Sequence, residues 1–441
     1  MKYILKNTIK YIAVGAFAIT VTSCTIDEVV DPNGPSVEGV LSNASKTQLN
    51  EIAVGVESTS RNGMGVEVTA SGTMAREFYV FDADPRNTGD LLGKNGISLD
   101  NNSFYSTSQW TGSYNCIKNA NLLIDAIANT TAVNDQEKAG YLGFAKTMIA
   151  YELIQLVKSY GKARVDVSDP NNLGAILEEA AVLTEVRSLL DEAKTNLEGA
   201  GDAFEFSLSH SYNTPEKFIE FNRAIAAIAA VYSGDGNAAL TALNDSFFNL
   251  SGDLKEGPRF SFGLGGGDRA NPVFKVPSES AEKPNNGDQI IVHDSWITEA
   301  EAGDTRVTEK TAVRPDPTTQ DDLSGTHETR LYASNVAPID IVRNEELILV
   351  YAEANILAND LGEAETALNV IRNAAGLPDY SGAQTADALT TEMLNQRRYS
   401  LWCENHRMYD LRRYDLSDTL PIDRTGDQIF NVFPVPLSEN N

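Results

Sequence analysis

The chain has 441 residues, 42% of them apolar, with 35 basic and 62 acidic side chains and a formal charge of −27. A polypeptide of this length and apolar content buries a large core and is globular rather than disordered. The acidic balance excludes nucleic acid as a partner, because phosphates require a basic footprint, and it disfavours polyanionic ligands.

Lys2, Lys6 and Lys10 precede an uncharged run from Tyr11 to Val21. A membrane-spanning helix needs about 20 apolar residues and a secretory h-region roughly 7 to 15, so residues 1–23 read as an export signal. The signal ends in Val21-Thr22-Ser23-Cys24, which resembles the bacterial lipobox and makes Cys24 the expected lipidation site. Acyl chains hold a soluble body at a membrane, each buried methylene contributing about 0.8 kcal/mol. Removing the signal lysines leaves 32 basic and 62 acidic residues, a charge of −30. Residues 24–44 read as a tether: Thr25-Ile26-Asp27-Glu28 resembles the short acidic signal of outer-surface lipoproteins, with a plain acidic linker as the alternative, and Asp31-Pro32-Asn33-Gly34-Pro35 reads as loop.

The folded body is expected over 45–441. Ser45 to Val56 is weakly helical, and about 62–108, rich in Gly, Asn, Asp and Ser with interspersed aromatics, reads as a long functional loop region. From Trp110 the apolar residues recur at three and four, predicting a helix to Asn129. A second runs from Asp135 to the Tyr160-Gly161 stop, and a third over about Leu183 to Glu198 with Thr184 or a neighbour at its start. Thr214-Pro215-Glu216 starts a further, alanine-rich helix that Gly234-Asp235-Gly236 turns. Thr241-Ala242-Leu243-Asn244 recurs as Thr366-Ala367-Leu368-Asn369, each after a helix and a tight turn, so a helical hairpin of tetratricopeptide-like design is repeated within a scaffold over about 110–249 and 343–411. Between them, about 250–337 reads as loops and short strands such as Gln289-Ile290-Ile291-Val292. Helix is expected from Arg343 to Leu357, Glu363 to Ala374, and Ala386 to about Leu411, followed by an extended Phe430 to Pro436. Cys116 and Cys403, on separate predicted helices, read as buried thiols, with a disulfide as the alternative.

The sequence offers little for catalysis. His210, His293, His327 and His406 are scattered and none falls in a His-Glu-x-x-His spacing. Gly263-Leu264-Gly265-Gly266-Gly267-Asp268 lacks the Lys-Ser or Lys-Thr of a phosphate loop, there is no Gly-x-Ser-x-Gly elbow, and Asp82-x-Asp84 and Asp235-x-Asn237 lack the remaining ligands of a calcium loop. Any two of 62 acids could be nominated as a glycosidase dyad, which needs a separation in space that sequence does not supply. No cofactor is expected beyond the lipid on Cys24, and no metal is indicated, a structural calcium ion being possible.

Several segments in order resemble the SusD/RagB family of nutrient-binding outer-membrane lipoproteins. These are Trp110-x3-Tyr114-x2-Ile117-x2-Ala120-Asn121, Leu156-Val157-x2-Tyr160-Gly161, Asn222-Arg223-Ala224, Arg343-Asn344-Glu345-Glu346-Leu347, Tyr351-Ala352-Glu353-Ala354 and Asn369-x-Ile371-Arg372. An arginine-rich stretch follows, Gln396-Arg397-Arg398-Tyr399 to Asp410-Leu411-x-Arg413, and Phe433-Pro434-Val435-Pro436 closes the chain. Gln396 stands where that family usually has Glu, and Asn405 where it usually has Gly. By their charges alone, Arg397, Arg398 and Arg407 beside Glu353, Glu404 and Asp410 read as a helix-locking network.

The resemblance implies a mainly α fold: a SusD-like helical scaffold of tetratricopeptide-like hairpins, with loop-rich and short-strand insertions forming the ligand-binding lobe. It implies a non-catalytic, surface-exposed outer-membrane lipoprotein that captures a glycan and delivers it to a SusC-like TonB-dependent transporter. Sugar rings stack on aromatic faces while planar polar groups take their hydroxyls. The expected ligand residues in the two loop-rich regions are therefore Tyr79, Arg86, Asn101, Phe104 and Tyr105 in the first and Asp294, Trp296 and Tyr332 in the second. The rival readings are a peptide-binding uptake protein on the same scaffold, a surface glycosidase, and a helical-repeat adaptor.

Overall fold

Residues 37–169, 171–279 and 287–440 are described in a computed structural model of the chain; the signal segment, the lipobox and Cys24 lie outside them. Fifteen α-helices occur among the described residues. The first is α1 (Val37–Asn43), and α2 (Lys46–Thr59) starts at Ser45, whose side chain and that of Gln48 cap each other's backbone. The region read as loop is instead largely ordered secondary structure. It holds α3 (Met64–Met74), β1 (Phe78–Phe81), the single turn α4 (Arg86–Gly89) and the start of α5 (Phe104–Asn129). Helix α3, Met-Gly-Val-Glu-Val-Thr-Ala-Ser-Gly-Thr-Met, has no polar face because it is buried nearly all round, which removes the periodicity that reveals a surface helix. Gly72 is needed there, since a Cβ would lie 2.2 Å from the Phe78 ring.

The long helices stack in sequence. Helix α5 packs on α6 (Asp135–Tyr160), α6 on α7 (Glu179–Glu198), α7 on α8 (Pro215–Tyr232) and α8 on α9 (Gly236–Asn244), which meets α12 (Asn344–Leu357). Asn134 rather than Asp135 caps α6, sharing a capping box with Glu137. Helix α7 begins four residues before the expected Leu183. The repeated hairpin is geometric: α8–α9 and α12–α13 (Leu361–Ala374) turn through left-handed Gly234 (φ +73°) and Asn359 (φ +61°). Asp235 N donates to the Ala230 carbonyl at 2.9 Å and Asp360 N to Asn355 at 2.8 Å, and both aspartates cap the next helix. The two hairpins touch closely at Gly236, where a Cβ would lie 2.4 Å from the Ala354 carbonyl.

The expected single helix from Ala386 to Leu411 is two. Helix α14 (Ala386–Ser400) ends in a buried turn containing Trp402, and α15 (Arg407–Arg413) follows. Cys403 (φ +65°) and Asn405 (φ +58°) take the left-handed backbone that breaks it. Asn is one of the few non-glycine residues that tolerates this region, so it can stand where the resembling family usually has Gly. Cys403 is thus in a turn, not a helix, and both it and Cys116 are buried free thiols.

The insertions form a four-stranded antiparallel sheet of order β1–β5–β7–β6, with β5 (Gln289–Val292), β6 (Thr311–Gln320) and β7 (Leu323–Thr329) from the second region. Two-stranded pairs join β2 (Lys162–Arg164) to β3 (Ile176–Glu178) and β4 (Arg259–Phe260) to β8 (Ile339–Asp340). Single-turn helices α10 (Asp294–Thr298) and α11 (Thr305–Lys310) lie between β5 and β6. The sheet rests on a second core made by Phe78, Val80, Ile290, Val292, Trp296, Tyr399 and Trp402.

A buried ion network ties α12, α14 and α15 together. Arg397 Nε donates to Asp410 Oδ2 at 2.7 Å, while Arg413 reaches both Glu353, at 2.6 Å, and Asp410, at 3.1 Å. Arg413, rather than Arg398 or Arg407, is the partner of Glu353; Arg398 bonds Glu299 instead, and Arg343 takes Glu404. Removing one member of a fully buried pair leaves the others uncompensated, at about 3–5 kcal/mol. Asp410→Ala should therefore lower the urea midpoint by the equivalent of that range, and a midpoint within experimental error of the unmodified chain would remove the network from the account of stability.

Just before β1, burial pushes the Glu77 carboxyl up to about 8, against the opposing pull of Arg407. One of its oxygens has no hydrogen-bond partner. Unfolding returns the group to its ordinary 4.5, so between about pH 4.5 and 8 the native chain holds a proton the unfolded chain has released. Stability contributed this way falls as pH rises through that window, by at most about 1.4 kcal/mol per pH unit. Glu77→Gln should make the stability–pH profile visibly shallower between pH 5 and 8 in urea titrations; an unchanged slope would contradict the raised carboxyl.

Candidate functional site

Strand β1 decides which of the expected residues can reach a ligand. Its register with β5 is Phe78↔Val292, Tyr79↔Ile291, Val80↔Ile290 and Phe81↔Gln289, so alternate side chains face opposite sides. Phe78 and Val80 join the Trp402 core, and Tyr79 and Phe81 stack on each other at 5.8 Å above Leu92, Ile291 and Leu323. Tyr79 is buried there beside His293, whose Nε2 lies 3.0 Å from Asp423 Oδ1, with Arg76 Nε 3.3 Å from the other carboxylate oxygen. Burial raises the Tyr79 phenol well above its usual range and the Asp423 charge adds to this. Tyr79 is a support for the sheet, with no exposed ring face.

After β1 the chain makes a polar turn. Asp82 Oδ1 accepts from Asp84 N at 2.7 Å and from Asn87 Nδ2 at 2.8 Å, and its carbonyl accepts from Gln320 Nε2 at 2.8 Å. Gln320 leads into the β6–β7 turn, where Asp321 and Asp322 are left-handed, φ +54° and +62°. Asp321 accepts from Thr88 at 3.0 Å and pairs with Lys94 and Arg424, so the hairpin tip is clamped onto the turn.

Ser103 caps α5, placing Phe104 and Tyr105 in its first turn about 100° apart. That offset sends them to opposite environments. Tyr105 is buried, its hydroxyl donating to Asn87 Oδ1, whereas Phe104 keeps 47% of its surface exposed. Arg86, also exposed, sits 6.0 Å from the Phe104 ring centroid and 5.9 Å from that of Tyr105, and is tied to Asp84 by bonds of 2.6 and 2.9 Å. That guanidinium holds the Asp84 carboxylate below its ordinary range. Asn101 is half-buried on the same approach to α5; its carbonyl accepts from Leu437 N at 3.0 Å. The result is an open face: one exposed ring, a guanidinium beside it, and the Asp84 carboxylate bonded to that guanidinium.

The second region contributes less than its aromatics suggest. Trp296 is fully buried, stacked against Tyr399 and Trp402 at 5.1 and 5.0 Å, with its indole donating to the Arg398 carbonyl at 3.3 Å. It has no free face for a sugar, because α10 turns it inward while the neighbouring Asp294 stays exposed. Tyr332, half-buried after β7, lines a small cavity with Glu67, Lys158, Glu346 and His406, none of which belongs to the Arg86 face. Of the eight expected residues, Arg86, Phe104 and Tyr105 come together with Asn101 nearby. Tyr79 and Trp296 are core, and Asp294 and Tyr332 lie elsewhere. Sequence reasoning missed Asn87, which orients Tyr105, and Gln320, which reaches the site only through strand pairing. Among the described residues no group of three or more His, Cys, Asp or Glu side chains is placed to hold a metal ion.

Trp296→Ala should cost about 3–5 kcal/mol, the range for emptying a large aromatic site in a packed core. Chemical denaturation reads it, and a loss below about 1 kcal/mol would mean the indole is not the core element described.

Comparison with known proteins gives the same framework. Residues 320–436 match the sequence model of the SusD family. The chain is 24% identical over 409 residues to SusD-like protein P38 of Formosa agariphila, covering 78% of each protein. Among solved structures, surface glycan-binding protein A from Bacteroides thetaiotaomicron superposes with a TM-score of 0.68 at 14% identity, covering 91% of this chain and 97% of that one. NanU of B. fragilis superposes with a TM-score of 0.65 at 18% identity, over 93% and 97%. A SusD superfamily protein from Bacteroides vulgatus gives 0.66 at 16%, over 90% and 96%. At these identities the structural likeness concerns the fold.

Proposed function

We propose, from the premise that this chain belongs to the SusD/RagB family, that it is a cell-surface, non-catalytic glycan-binding lipoprotein of the outer membrane that hands its ligand to a SusC-like TonB-dependent transporter. The observation that carries the ligand reading is the exposed Phe104 ring with the Arg86 guanidinium 6.0 Å from its centroid and the Asp84 carboxylate bonded to that guanidinium. A flat ring face takes the axial C–H groups of a sugar, and a fixed guanidinium with its carboxylate takes its hydroxyls. The face is open rather than a closed cavity, which suits an internal unit of an oligosaccharide whose chain continues in both directions. Relatives on this fold include proteins named for surface glycan binding, which supports the same class of ligand for this chain.

Lipidation at Cys24 would hold the body at the membrane, and the Val21-Thr22-Ser23-Cys24 sequence supports it. A transporter supplies passage and separate enzymes supply cleavage in this reading. The face supports binding over hydrolysis, since Asp84 is committed to Arg86 and Asp82 to Asn87.

Calorimetry of the chain from Thr25 onward against neutral and acidic oligosaccharides and mixed peptides, with reducing-sugar release followed in parallel, tests this. Binding of one glycan class without cleavage is the expected outcome. Phe104→Ala should weaken it about tenfold or more, the equivalent of losing one stacking contact of roughly 1.4 kcal/mol. Peptide-only binding would move the protein to peptide uptake, and sugar release would make it an enzyme.

A further inference from the structure

Helix α5 has a second face that the fold leaves uncovered. Leu41 of α1, Trp110, Tyr114 and Leu122 of α5, and Val167 and Leu173 of the β2–β3 connection line a groove of about 480 Å³. Leu173 keeps 44% of its surface exposed, so the apolar lining continues to the lip. Lys118, Arg164, Asp125 and Glu439 also line it; Arg164 is paired with Glu439 at 3.3 Å, while Lys118, exposed and seven residues before Asp125, has no ion-pair partner among the described residues. Trp110 and Leu122 are twelve residues apart, so the groove follows the helix for about 18 Å.

One end of the groove lies where the described chain begins. Asn129 Nδ2 donates to the Leu41 carbonyl at 3.0 Å and Thr131 N to Asn43 Oδ1 at 3.1 Å, which fixes α1 at the C-terminal end of α5. Val37, where α1 starts, is four residues from the groove-lining Leu41. The eleven residues before it read Ile26-Asp27-Glu28-Val29-Val30-Asp31-Pro32-Asn33-Gly34-Pro35-Ser36. They offer three aliphatic side chains and two prolines for an apolar channel, and three carboxylates for an unpaired lysine. In the extended form that prolines favour, at about 3.1 Å per residue, eleven residues span roughly 34 Å and more than cover the groove.

We propose that the segment from Ile26 to Pro35 docks in this groove, running from α1 towards Trp110 with its acids near Lys118. The consequence deepens the delivery reading and rests on it: a docked tether brings Cys24 out of the body at the Trp110 end of α5, six residues from Phe104. The anchor and the glycan face are then held at one end of the molecule, and the tether is a fixed strut rather than a free leash. The docking itself requires neither lipid nor glycan, so its test is independent of whether a glycan binds.

The test is amide hydrogen exchange on the chain from Thr25 onward. Docking predicts that the amides of residues 27–31 exchange about tenfold or more slowly than a free coil. Lys118→Glu and Leu173→Asp, both exposed and outside the packed core, should each return those amides towards coil rates. Coil-like exchange in the unmodified chain, or protection that neither substitution changes, overturns the proposal. Loss of that protection on adding an oligosaccharide from the calorimetric panel would be displacement of a docked tether and would support the proposal.

Discussion

The stretch from Gln396 to Arg413 is the constraint on which the remaining architecture depends, because it buries charge and must therefore pair it. Arg397, Asp410 and Arg413 have almost no exposed side-chain surface and find their counter-charges only when α12, α14 and α15 are in register. Upstream in the same stretch, Gln396 and Ser400 accept the Arg306 guanidinium from α11. A desolvated arginine without its carboxylate is so unfavourable that misaligned packings of these helices are strongly disfavoured. The network thus contributes less to net stability than to the choice of one arrangement.

That arrangement reaches the Arg86–Phe104 face through the turn that splits α14 from α15. Trp402 projects from it, donates its indole N–H to the Glu77 carbonyl, and meets Phe78 edge-on at 5.8 Å. Strand β1 is therefore laid on a floor set by the ion network, and β5 pairs to it. With β1 fixed, the Asp82–Asn87 turn and the β6–β7 tip are brought against the start of α5. The first turn of α5 divides Phe104 from Tyr105, and its later turns carry Trp110 and Tyr114 towards the groove beside α1. One helix serves the face proposed for sugar and the groove proposed for the tether.

Helices with one apolar face were legible in the chain because period and caps are local properties. The Thr214-Pro215 start, the Gly161 stop and the repeated Thr-Ala-Leu-Asn hairpin needed no knowledge of their neighbours. Helix α3 was not legible, since burial on all sides erases its period, and neither was the break at Cys403 and Asn405, whose left-handed backbone is imposed by the burial of Trp402 and the bond from Asn405 to Glu67 at 2.6 Å. Arginines and acids near one another in sequence announced an ion network without saying which pairs form. Arg413 rather than Arg398 or Arg407 holds Glu353.

The sequence by itself determined an acidic, mainly helical protein with a repeated hairpin and aromatic residues gathered in two regions between helices. Which of those rings could meet a ligand was decided by tertiary structure alone. Pleating in β1 turned Tyr79 inward, the start of α5 sent Phe104 outward, and the stack of Trp296, Tyr399 and Trp402 closed over the residue that composition favoured most. An aromatic side chain gains as much from filling a core as from lining a site, and only the neighbours that reach it from distant parts of the chain decide between the two.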